Sequence, residues 1–104
     1  MNDMTDAQIS KALALAIGWK ESDIIDYAGQ DYVGIRTKIV TPCIRFFSYK
    51  FPTVIWPVAE RFDYFPRKDQ YQWWFAGKYP YTYAETAAKA VALAVIKAHE
   101  GSKT

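Results

Sequence analysis

The chain is poor in the side chains that most often build metal and nucleophilic sites. Its 104 residues hold one cysteine, Cys43, and one histidine, His99. One thiol excludes an intramolecular disulfide and any cysteine cluster for zinc, and it suits a reducing compartment. With Arg36, Lys38 and Arg45 near it in sequence, Cys43 still reads as a small buried hydrophobe, because no partner base accompanies it. His99 falls in the last turn of a helical stretch, where a cation complements the helix dipole. No Ser-His-Asp or Cys-His spacing surrounds it. No apolar run approaches the ~18 residues of a membrane-spanning helix. The first residues, Met1-Asn2-Asp3-Met4-Thr5-Asp6, lack the basic stretch of a secretory leader. The five glycines are scattered and match no phosphate-binding pattern. Asp23, Asp26 and Asp31 lack the ligand spacing and closing glutamate of a calcium loop and read as a solvated acidic loop. These absences point away from an enzyme, a cofactor or a metal, and toward a cytoplasmic protein without a membrane partner.

What is abundant is aromatic. Four Trp, eight Tyr and six Phe make 17% of the residues, within a composition that is 51% hydrophobic and 23% charged. Such a chain folds as one domain over 1–104 and fills a small core with large side chains. Net charge is only +2, but it is unevenly spread. Residues 1–35 carry six acids against two bases, and residues 36–78 carry eight bases against three acids.

Thr5-Asp6-Ala7-Gln8 has the spacing of a capping box. Ile9, Ala12, Leu13, Ala16 and Ile17 then share one helical stripe, and Gly18 suits the left-handed position after a helix. A helix is expected over 6–17, with Trp19 folding back to close it. Residues 20–32 read as an acidic loop with a helical turn. Strands are expected over 32–40 and 43–51, interrupted at Pro42. A short helix is expected after Thr53, carrying Val58, Arg61, Phe62 and Phe65. Tyr71 to Ala76 reads as a third strand. Thr82-Tyr83-Ala84-Glu85 has the spacing of a second capping box, opening a helix striped by Ala84, Ala87, Ala88, Val91, Ala94, Val95 and Ala98. The fold class is therefore α+β: a small antiparallel sheet of about three strands, packed by N- and C-terminal helices, with a short helix between strands two and three.

Two groups of residues suggest binding. Leu93 and Ile96 fall opposite the Ala/Val stripe of the last helix, and a helix apolar on two sides has two partners. They are candidate contacts to a second copy, giving a homodimer, or to a host protein. Arg36, Lys38, Arg45, Lys50, Tyr49 and Trp73 mark the basic, aromatic region 36–78, whose composition suits nucleic acid by stacking and phosphate contact. The same combination would also suit a pocket that sequesters a small anionic ligand or nucleotide.

The C-terminal half carries a resemblance. Trp56-Pro57-Val58-Ala59, then Asp69 to Trp73-Trp74, then Tyr81 through Ala94 resemble small phage and prophage proteins with the phage ABA sandwich domain. Ala16-Ile17-Gly18-Trp19 matches their short first helix ending in Gly-Trp, and Ala84-Glu85-Thr86 through Ala90 matches their closing helix. The segment 32–51 carries more aromatics and bases than the resemblance implies. The resemblance implies a phage origin, in the cytoplasm of a bacterial host, and an α+β sandwich; it carries over no catalytic residue. The expected function is that of a non-enzymatic accessory protein. It would work by protein binding, inhibiting a host or defence factor or associating with itself.

Overall fold

A computed structural model describes residues 4–27, 29–38, 42–78 and 80–102, with residues 38, 42, 43, 101 and 102 described by backbone alone. Among the described residues it is a mixed α+β fold with three α-helices and two small antiparallel sheets. Helix α1 spans Asp6–Ala16, β1 Ile24–Asp26, β2 Val33–Lys38 and β3 Pro42–Phe47. Then follow α2 Pro52–Phe62, β4 Arg67–Lys68, β5 Trp74–Ala76, β6 Thr82–Ala84 and α3 Ala87–Ser102.

Local chemistry fixes both ends of α1. The Gln8 amide donates to the Thr5 hydroxyl and the Thr5 amide donates to the Gln8 side chain, which completes the capping box. At the other end the Trp19 amide donates to Ala14 and the Gly18 amide to Leu15, with Gly18 at φ 112°. That is the Schellman closure, and the Arg61 guanidinium donates to the carbonyl of Ile17 beside it. Helix α2 begins earlier than expected: Phe51, not Thr53, stands at its N-cap and Pro52 opens its first turn. Pro57 lies inside α2 and removes one backbone hydrogen bond. The helix persists because Ile55, Val58 and Ala59 are buried.

Thr82-Tyr83-Ala84-Glu85 is not a capping box. Its first three residues are β6, paired with β5, and the true cap of α3 is Thr86, whose hydroxyl accepts from the Lys89 amide at 3.2 Å.

The three expected strands do not share one sheet. The first two pair as β2 and β3, with Val33 opposite Phe47 and Lys38 opposite Pro42. Their third partner is β1, within the stretch expected to be a loop; Ile24 lies opposite Ile35 and Asp26 opposite Val33. The third expected strand shortens to β5 and founds a second sheet, in the order β4-β5-β6. The residues before β5 form a turn instead, in which the Asp69 carboxylate accepts the Tyr71 and Trp73 amides at 2.9 Å.

Helix α3 is the centre of the molecule. Ala90 through Ile96 are all buried, so the helix is apolar around its whole circumference. It packs against α1, α2, β5 and β6, and α1 in turn packs against β2. No helix among the described residues is long and apolar enough to cross a membrane.

Candidate binding surfaces

The position of α3 revises the first candidate site. Leu93 is 8% exposed and Ile96 6%, and both belong to the continuous core. The helix is two-sided, as its sequence implies, but its partners are the chain's own α1, α2 and second sheet. These two residues form no docking surface.

Tyr49 and Lys50 also move from surface contact to framework. Tyr49 is buried; its amide donates to the buried Ser10 hydroxyl at 3.1 Å and its own hydroxyl donates to Asp6 at 2.7 Å. Lys50 Nζ lies 2.7 Å from Asp6 and 3.4 Å from Asp31. The Lys50 ammonium, and then the Tyr49 hydroxyl, hold the Asp6 carboxyl below the usual carboxylate range. Burial first, then the bond to Asp6, pushes the Tyr49 hydroxyl well above its ordinary value, and the Asp6 carboxylate raises Lys50. These groups border a cleft of about 380 Å³ together with Glu85 and Thr86. With Lys50 already engaged by two carboxylates, the cleft is not built for an anion.

Because Asp6 titrates low in the fold, its contribution is present above about pH 4 and is lost as pH falls through the folded value. Tyr49 and Lys50 titrate high, so theirs is intact below about pH 10 and lost as pH rises through the folded values. Thermal melts should therefore show a plateau between these limits with losses on both sides. Tyr49→Phe should cost about 1 kcal/mol at neutral pH, lowering Tm by roughly 4–8 °C, and should flatten part of the alkaline loss.

Two open surfaces are the outer faces of the sheets. Strand alternation turns Val33, Ile35 and Phe47 into the core of the first sheet and sets Gly34, Arg36, Ile44 and Phe46 on its other face. There Ile44 is 50% and Phe46 59% exposed. Tyr27, Tyr32 and Phe46 form an aromatic triad with ring centroids 4.9–6.0 Å apart. Gly34 makes the triad possible: a Cβ there would meet Ile44 at 2.9 Å and the Tyr27 ring at 3.0 Å, so the ring lies directly on the strand. Arg36 is exposed on the same face.

In the second sheet, Arg67, Phe75 and Tyr83 form one cross-strand row on the side away from the buried Ala76 and Ala84. Phe75 stands 5.4 Å from Tyr83 and 5.1 Å from Tyr81. The Arg67 guanidinium lies over both Phe75, at 5.3 Å, and Tyr81, at 5.9 Å. Tyr83 is 53% exposed, and Trp73, in the turn leading into β5, is 49% exposed.

The expected basic region is thus divided. Arg36 lies on the first face and Trp73 adjoins the second sheet, while Arg45 is exposed at a register position shared with the inner row of β3. The Lys38 side chain, like that of Cys43, lies outside the described residues. Phe46, Phe75, Tyr83 and Arg67 carry the surfaces and were not singled out from sequence as a set. Alternation about Phe46 was the one local signal, and the others needed the register of the second sheet. Among the described residues no group of three or more His, Cys, Asp or Glu is placed to hold a metal ion.

Comparison with protein-family models, with curated proteins and with solved structures gives no match.

Proposed function

We propose that this is a non-enzymatic binding protein whose first sheet takes another protein on its outer face. The observation that carries the reading is the open patch of Ile44 and Phe46 against the Tyr27–Tyr32–Phe46 triad. Contiguous exposed apolar surface on a small domain marks an interaction site. Tyrosine and other aromatics with a flanking arginine are the composition of interface hot spots. Tyr27 is seated on the Gly34 backbone and packs with Tyr32 and Phe46, which limits the side-chain entropy lost on docking. A second copy of the chain is the simplest occupant. The resemblance to small phage proteins supports an accessory role in a bacterial host's cytoplasm, with a host or defence factor as the other occupant.

The test is Ile44→Glu combined with Phe46→Glu. Both side chains are about half exposed and Phe46 gives up two ring contacts, so the variant should stay folded at a cost of about 1–3 kcal/mol. By light scattering the parent should exceed the 12.0 kDa of one chain in a concentration-dependent way, and the variant should not. If the parent is monomeric, it should retain a host protein that the variant releases. A parent and variant indistinguishable in both assays would overturn the proposal.

A further inference from the structure

We propose that the outer face of the second sheet is a separate site for single-stranded nucleic acid. The face combines ring surface with positive charge. Phe75, Tyr81 and Tyr83 present adjoining rings across two strands, with Phe75 and Tyr83 inclined by only 35°. Unpaired bases stack on such rings, whereas a duplex keeps its base faces covered. Arg67 sets its guanidinium over both Phe75 and Tyr81, which puts a cation able to bind phosphate on the ring-bearing face. Lys68 is exposed on the same edge strand but at the register of Trp74, whose ring its Nζ overlies, and Lys78 is exposed in the turn after β5. Over residues 64–84 these three bases face a single acid, Asp69. That carboxylate is turned inward on the Tyr71 and Trp73 amides, so it opposes phosphate weakly. An aromatic surface carrying Arg67, in a segment of three bases with no competing free carboxylate, is complementary to a polyanion that also offers flat bases. In the first sheet the exposed Arg36 and Arg45 fall on opposite faces by register, so the aromatic triad shares its face with Arg36.

The experiment is fluorescence anisotropy of a labelled twelve-nucleotide oligothymidylate, its RNA counterpart and a duplex of equal length. Both single strands should bind more tightly than the duplex. Each phosphate contact contributes about −0.7 to the slope of log K against log salt, so the Arg67 contact predicts at least that dependence. Tyr83→Ala should weaken binding about tenfold or more, and Arg67→Gln should weaken it and flatten the salt slope. Two variants guard against one that misfolds, and circular dichroism reports on each. The Ile44→Glu/Phe46→Glu protein should bind the single strands as the parent does, which separates this site from the protein-binding face. The proposal is overturned if no single strand binds at low salt, or if the duplex binds equally and Tyr83→Ala changes nothing. Displacement of the oligonucleotide by polyglutamate at equal charge concentration would also overturn it, in favour of an acidic protein.

Discussion

Leu93→Glu is expected to abolish cooperative unfolding at 25 °C. Leu93 lies in the core formed by α3 with its neighbours. A carboxylate there loses its hydration without gaining a partner, and the lost leucine packing adds to the cost. The combined penalty is about 5 kcal/mol or more, comparable with the 5–15 kcal/mol that stabilises a typical small domain. Ile96→Glu should behave in the same way, whereas Leu93→Ala should stay folded at a cost of about 2–5 kcal/mol. Far-ultraviolet circular dichroism with thermal melting distinguishes these outcomes. A folded Leu93→Glu protein with altered oligomeric state would restore this helix face as an interface and refute its place in the core.

Gly77→Val should produce the second-largest loss, about 2–5 kcal/mol. Gly77 sits at φ 93°, a conformation that a β-branched residue adopts only under strain. A Cβ there would also stand 3.0 Å from the Ala94 Cβ, so the substitution pushes β5 away from α3. Gly29 provides the control. Its φ is 77°, but an added Cβ would meet nothing within 4 Å. Gly29→Val therefore carries the backbone strain without the collision and should cost less. Equal losses at the two positions, by denaturant titration, would show that the close approach of β5 to α3 contributes nothing.

The parts of the fold legible in the sequence are those decided by residues near one another. Thr5 with Gln8 and Gly18 with Trp19 state both ends of α1 within a few positions. The apolar circumference of α3 is equally plain, but periodicity counts apolar faces without naming what covers them. Leu93 and Ile96 were therefore open to an outside partner until α1, α2 and the second sheet were placed. Ile24–Asp26 is too short to show alternation, and it becomes a strand only through pairing with Val33–Ile35. Thr82 has the spacing of a helix start, and the structure gives that role to Thr86. Pairing of Thr82–Ala84 with β5 decided between them, and that pairing is a tertiary fact. For the same reason the bases and aromatics of 36–78 read as one region in sequence, although register divides them between two sheets and assigns Tyr49 and Lys50 to an internal cluster.

The protein presents two open aromatic faces around a closed core. Solvent paramagnetic relaxation in dilute solution, read residue by residue on the aromatic and methyl protons, tests this arrangement most directly. The rings of Phe46 and Tyr83 should be strongly bleached, while the methyls of Val33, Leu93 and Val95 should be protected. Protection of Phe46 and Tyr83 equal to that of Val95 in the monomer would mean that the chain covers its own sheet faces, and the binding account would fail.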